Sequence, residues 1–275
     1  MYMDIRLIAL DLDGTVFDDK KNISPRTLAA MRAALDRGIA VVPATGRTVE
    51  GVPTQFLHLP GVRYALTSNG ATVADLQTGQ ALVSQCFDPR QAAELYDLLE
   101  PFGGQFSLFL DGKSYSTRAG LEYSMQFVPE NLRQYIRSTR VVVEDMHEAI
   151  RQHADRVEKF SILYPTLAVR DAAWQAVAER FPDMEITTSL ACNLEVNAPG
   201  VSKGTGLLAL ARVLGLEPAQ VMACGDSGND LTMIELAGLG VAMGNATEPV
   251  KAAAKVITQD NNHDGVALAI EKYAL

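Results

Sequence analysis

The feature that most constrains the fold is a repeated alternation. Short apolar runs, each stopped by a small polar turn, are separated by stretches with helix signals. Arg6 to Leu12 runs into Asp13-Gly14-Thr15, Ile39 to Ala44 into Thr45-Gly46-Arg47, and Tyr64 to Thr67 into Ser68-Asn69-Gly70. Between the first two, Ser24-Pro25 supplies an N-cap and a first-turn proline for a helix through Arg37, which Gly38 closes. Continuous apolar runs of this length suit strands buried on both faces of a parallel sheet. The spacing therefore predicts a βαβαβ start. The alternation resumes from about Asn193, with a helix over Lys203 to Leu214 and strands over Val221 to Cys224 and Leu239 to Ala242.

The middle third has another character. A hairpin over Ala71 to Val83 leads to a helix over Pro89 to Phe102. Strands over Gln105 to Leu110 and Lys113 to Thr117 follow, joined by Asp111-Gly112, a strong hairpin signal. Helices near Leu121 to Phe127, Met146 to His153 and Val169 to Phe181 then alternate with strands near Val141 to Glu144, Val157 to Leu163 and Glu185 to Thr188. One arrangement satisfies both patterns: an α/β, doubly wound, mostly parallel Rossmann-like core formed by residues 1–84 and 190–275, with an inserted α+β domain over residues 85–189. A length of 275 residues suits a core plus a smaller second domain.

Composition narrows the function. Hydrophobic residues make up 48% and charged residues 21%, an ordinary globular balance that argues against disorder. A formal net charge of -9 disfavours a nucleic-acid or anionic-membrane partner, which needs a basic surface. Cys86, Cys192 and Cys224 lack CxxC spacing and are expected as buried thiols in a reducing cytosol. His58, His147, His153 and His263 show no HxH or HExxH spacing, so none is expected as a ligand. The run Leu7 to Leu10 is too short for a signal-peptide core, and no stretch approaches the ~18 apolar residues of a membrane helix. A soluble cytoplasmic protein is expected.

Open parallel sheets collect functional groups at the carboxyl ends of their strands. Four polar clusters lie at such places: Asp11 to Thr15, Thr45-Gly46, Lys203 at a helix start, and Gly225 to Asp230. Each alone is unremarkable, since acidic turns commonly cap helices and a helix lysine is commonly solvated. Together they supply acids for a hard cation, plus a hydroxyl and an ammonium for phosphate oxygens. That set suits metal-assisted phosphoryl transfer.

These clusters resemble the four motifs of the haloacid dehalogenase superfamily. The DxDGT motif stands at Asp11 to Thr15, the Thr of the second motif at Thr45, the Lys of the third at Lys203, and the fourth, GDxxND, places its Asp, Asn and Asp at Asp226, Asn229 and Asp230. The insertion between the second and third motifs corresponds to a type-two cap (C2B-like). Ala44-Thr45-Gly46-Arg47, Asn69-Gly70-Ala71, Glu195-Val196-Asn197 and Gly240 to Ala246 look like the Cof-type sugar-phosphate phosphatase branch.

The resemblance implies that Asp11 is a nucleophile forming an aspartyl phosphate and Asp13 a general acid/base. It implies that Mg2+ is held by Asp11, the main-chain carbonyl of Asp13 and Asp226, while Asp230 orients Lys203 or a water on the metal. Phosphate oxygens would meet Leu12, Thr45, Gly46, Lys203 and Asn229. The substrate would be a small phosphorylated metabolite such as a sugar phosphate or phosphate-bearing cofactor, with the cap selecting it. A sugar phosphomutase shares this chemistry, and a phospho-aspartate signalling or binding protein shares part of it. Arg47, Asn69 and Asn197 are left between cavity-lining and purely structural roles.

Overall fold

A computed structural model describes residues 4–127, 130–189 and 191–275. The chain divides into two compact units. One comprises residues 1–47, 52–83 and 202–275, and the other residues 48–51 and 84–201.

The first unit begins with β1 (Leu7–Leu10), every residue of which is buried. Helix α1 (Pro25–Asp36) starts as the sequence predicts: the Ser24 hydroxyl accepts from the Thr27 N–H at 3.0 Å and Pro25 occupies the first turn. Strand β2 (Ala40–Pro43) then pairs in parallel with β1, and a short helix α2 (Thr54–Leu57) precedes β3 (Tyr64–Thr67), β4 (Thr72–Asp75) and β5 (Gln80–Ser84). The third apolar run departs from expectation. Instead of extending the parallel ladder, β3 opens an antiparallel β3-β4-β5 sheet, and an isolated parallel bridge between Ala44, just beyond β2, and Leu66 links the two. Ala40 and Ala44 donate their N–H groups to the carbonyls of Arg6, just before β1, and Leu10, at its end, which aims the nitrogen of Pro43 at the β3 side. Proline has no hydrogen to donate there, so the ladder is interrupted.

In the second unit, α3 (Pro89–Leu99) precedes a hairpin of β6 (Gln105–Leu110) and β7 (Lys113–Thr117). Next come α4 (Arg118–Ser124), α5 (Glu130–Thr139), β8 (Arg140–Val143), α6 (Met146–His153), β9 (Val157–Leu163), α7 (Leu167–Arg180), β10 (Glu185–Thr187) and β11 (Asn193–Asn197). The sheet order is β10-β11-β9-β6-β7-β8. Its β7–β8 pair is parallel, and α4 and α5 supply the crossover that such a pair requires. Sequence patterning finds one helix there; α5 escapes it because its segment is mostly polar.

Strand β11 lies in this sheet, antiparallel to β9 and β10, although the sequence pattern resumes the core from about Asn193. Its alternation of Asn193, Glu195 and Asn197 with Leu194 and Val196 is the period of two of an antiparallel strand, unlike the continuous apolar runs of the parallel core. Trp174 is half-buried with Arg170 over its ring, and Ala173 and Val177 are the buried residues of α7. Cys224 is buried, but Cys86 and Cys192 are only half-buried.

The chain then returns to the first unit through α8 (Lys203–Val213), β12 (Val221–Gly225), α9 (Leu231–Leu236), β13 (Leu239–Ala242), α10 (Glu248–Ala253), β14 (Val256–Ile257) and α11 (Gly265–Tyr273). The five parallel strands take the order β14-β13-β12-β1-β2, with Leu7, Ile8, Leu10, Val41, Met222 and Val241 in one continuous apolar core. Among the described residues, no helix is long and apolar enough to cross a membrane.

Ile8 is fully buried at the centre of that sheet. Ile8→Ala removes packed methyl and methylene groups, and urea unfolding is expected to show a loss of about 2–5 kcal/mol. Val213→Ala, at a side chain 53% exposed, is expected to stay within about 0.5 kcal/mol of wild type.

Candidate active site

The parallel pairing of β2, β1 and β12 in register points their carboxyl ends the same way. The segments that leave them, Asp11 to Thr15, Thr45 to Arg47 and Asp226 to Asp230, therefore gather along one edge of the sheet. Lys203 joins them as the first residue of α8. Its position is fixed by a capping box in which Ser202 and Thr205 exchange side-chain and main-chain hydrogen bonds.

Lys203 is 0% exposed, and its ammonium donates to Asp11 Oδ1 and to Asp230 Oδ1, each at 2.6 Å. Burial disfavours the charged ammonium, but Asp11 and Asp230 outweigh it and hold its pKa above the ordinary lysine value. Asp230 is wholly engaged: its second oxygen accepts from the N–H groups of Asp226 (2.9 Å) and Ser227 (3.0 Å). It thus ties the β12 loop to the start of α8.

Carboxylate oxygens of Asp11, Asp226 and Asp230 all lie within 4.8 Å of one another. Burial, and then the Asp230 charge, push Asp11 well above the usual carboxylate range despite Lys203. The same two causes raise Asp226 to about 6, although the Thr15 hydroxyl donates to it at 2.9 Å. One ammonium does not neutralise three acids. Such a surplus of carboxylate charge, with Asp11 and Asp230 buried and Asp226 half-buried, suits a hard divalent cation with oxygen ligands. Because both oxygens of Asp230 are taken, Asp11 and Asp226 are the carboxylates able to turn toward that cation. Gly14 makes this approach possible: its φ is +85°, and a Cβ there would lie 2.5 Å from Asp226 Oδ2.

The carboxylate of Asp13 stands outside the acidic trio. Arg47 grips Asp13 in bidentate fashion, with Nε 3.0 Å from Oδ2 and Nη2 2.9 Å from Oδ1, and Lys21 Nζ adds a bond of 2.8 Å. Burial works to raise the pKa of Asp13, but Arg47 and Lys21 more than offset it and lower the value. Arg47 thereby acquires a definite partner. Nothing in the sequence singles out Lys21, one of two adjacent lysines in a polar loop. The structure presents it on a tight turn with φ +62°.

Thr45 is buried, and its hydroxyl accepts from the Arg47 N–H at 3.2 Å. Asn229 accepts from the Ser227 hydroxyl at 2.7 Å and donates to Asn69 Oδ1 at 3.2 Å. Asn69 in turn donates its N–H to the Thr45 carbonyl at 3.1 Å. Contacts therefore run unbroken from Thr45 through Asn69, Asn229, Ser227 and Asp230 to Lys203 and Asp11, with Leu12 and Gly46 beside them in the same loops. Asn197 is engaged elsewhere, donating to the Glu158 carbonyl at 3.0 Å within the six-stranded sheet.

The raised carboxylates give the metal-free protein a definite pH response. A group whose pKa is raised on folding contributes stability below its unfolded value and loses that contribution as pH climbs through the folded value. For Asp226 the window runs from about 4 to about 6. Calorimetry in a chelator is expected to show stability falling across that window, with a shallower fall in Asp226→Asn.

A model of the haloacid dehalogenase-like hydrolase family matches residues 8–270. Across 99% of this chain and 97% of the relative, the sequence is 32% identical to the 5-amino-6-(5-phospho-D-ribitylamino)uracil phosphatase YcsE of Bacillus subtilis. It is 28% identical to the pyridoxal phosphate phosphatase YbhA of Escherichia coli, covering 99% of this chain and 100% of that one. A solved haloacid dehalogenase-like hydrolase from B. subtilis superimposes with a TM-score of 0.84 at 27% identity, covering 98% and 99% of the two chains. The chain belongs to the haloacid dehalogenase-like hydrolase family, in its Cof-type phosphatase branch.

Proposed function

We propose that this protein is a magnesium-dependent phosphatase that hydrolyses small phosphate monoesters through an aspartyl phosphate on Asp11. The observation that carries this reading is the buried Lys203 ammonium 2.6 Å from Asp11. A carboxylate that attacks a phosphate dianion meets strong repulsion, and a fixed cation within a low-dielectric site offsets it at the point of attack. Lys203 occupies Oδ1, which leaves Oδ2 of Asp11 to form the new bond to phosphorus while the ester P–O bond breaks. The Leu12 and Gly46 amides, the Thr45 hydroxyl, Lys203 and Asn229 are the donors for the phosphate oxygens. Magnesium held by Asp11, Asp226 and the Asp13 carbonyl would supply further neutralisation of the transferring group.

Asp13 serves both halves of the reaction. It gives its proton to the departing alkoxide, and its carboxylate then takes a proton from the water that attacks the phosphoenzyme and releases phosphate, restoring Asp11. The grip of Arg47 and Lys21 favours the ionised form and so suits the second half. For the first half, the incoming phosphate competes for those two cations and frees a carboxyl oxygen to carry the proton. The phosphatase names of the two curated relatives, one for a phosphorylated ribitylaminouracil and one for pyridoxal phosphate, support a small phosphorylated metabolite as substrate.

Phosphate release should be measured over a panel of sugar phosphates, pyridoxal phosphate and flavin mononucleotide, with magnesium and with chelator. Turnover is expected to require the metal. Asp11→Asn is expected to abolish it, and Asp13→Asn to cut kcat by about 10²–10⁴-fold. Undiminished turnover in chelator, or an active Asp11→Asn, would overturn the mechanism. A strict requirement for a bisphosphate activator without net phosphate release would identify a mutase instead.

A further inference from the structure

Beyond β3 the backbone does something costly. Ser68, Asn69 and Gly70 adopt φ of +52°, +59° and +91° in succession, and all three are buried. Left-handed conformation at a non-glycine residue is unfavourable, least so for asparagine, and a run of it persists only where the surroundings enforce it.

Three of the phosphate-site elements meet this turn. The Ser68 and Asn69 N–H groups donate to the carbonyls of Arg47 (2.8 Å) and Thr45 (3.1 Å), fastening the loop that carries the Thr45 hydroxyl. Gly70 lies so close to the start of α8 that a Cβ would stand 2.2 Å from the Ser202 carbonyl, one residue before Lys203. The Asn69 side chain reaches Asn229. That last contact has a directional consequence. Asn229 Oδ1 is taken by the Ser227 hydroxyl, and its amide nitrogen is turned to Asn69 Oδ1. An amide nitrogen carries two hydrogens, so with one given to Asn69 the other diverges from it as a donor. With the amide flipped, Asn229 would show an oxygen to an anion and repel it.

We propose that Asn69 is a positioning residue for phosphoryl binding. Its carbonyl fixes the amide of Asn229 with an N–H toward the phosphate oxygens, and its left-handed backbone holds the Thr45 loop in place. Asparagine fits both demands, because it tolerates the conformation and carries the acceptor. This inference rests on the phosphatase reading above.

Asn69→Gly keeps the backbone conformation accessible and removes only the side chain, whereas Asn69→Ala also strains the backbone. The probes are p-nitrophenyl phosphate for turnover and inorganic phosphate as a competitive inhibitor. In Asn69→Gly, KM and the inhibition constant for phosphate are expected to rise together by about tenfold, the worth of one hydrogen bond to a charged group. The expected fall in kcat is smaller, and Tm is expected to stay within about 2 °C. Asn229→Ala is expected to reproduce the effect, and Asn69→Gly combined with Asn229→Ala to be no worse than Asn229→Ala alone, because both act through one contact. A purely structural role would not produce that non-additivity. An active wild type with unchanged constants in Asn69→Gly, or fully additive effects in the double variant, overturns this inference alone. An inert wild type overturns the phosphatase reading and this inference with it.

Discussion

The site is organised around one buried charge. Lys203 has no exposed surface, and its ammonium is shared between Asp11 at the end of β1 and Asp230 beyond β12, both at 2.6 Å. A buried cation is tolerable only when compensated by close anions and hydrogen bonds, and removing one partner of such a pair costs several kcal/mol. The compensation joins three distant stretches of chain: the first strand, the helix that opens the returning half of the first unit, and the loop after β12. Asp230 extends the linkage by accepting the Asp226 and Ser227 amides, which fixes the loop that carries the second candidate metal ligand.

Two consequences follow for the chemistry. The three acids within 4.8 Å outnumber the single ammonium among them, so the protein holds unbalanced negative charge where a divalent cation and a phosphate would meet. Asp13 is set apart from that trio and given its own cations, Arg47 and Lys21. Two carboxylates separated by one residue thus occupy opposite electrostatic environments, one with its pKa raised and the other with it lowered. A division of labour between nucleophile and proton carrier depends on such a difference.

Much of this was legible in the residues. Continuous apolar runs ending in Asp11-Leu12-Asp13, Thr45-Gly46 and Gly225-Asp226 marked parallel strands with polar carboxyl ends, because a strand buried on both faces leaves no room for charge except at its ends. Ser24-Pro25 and Ser202 marked helix starts through hydrogen bonds made within three residues. Other features were not legible. The displacement of β3 from the parallel ladder turns on which neighbour the nitrogen of Pro43 faces. The helix Glu130–Thr139 is polar along most of its length, and β11 differs from the core strands only in its alternation of polar and apolar residues.

The sequence by itself determined the strand-end chemistry and the family, since motif residues and their order are local properties of the chain. Tertiary structure decided which of those residues share charge. Asp11 and Lys203 are 192 positions apart and Asn69 and Asn229 are 160, and no local propensity records a pairing made across a sheet. Arg47 and Lys21 as the partners of Asp13, and Asn69 as the acceptor that orients Asn229, emerge only when separate loops close on one edge. Distance and burial there set the electrostatics that the motif residues alone leave open.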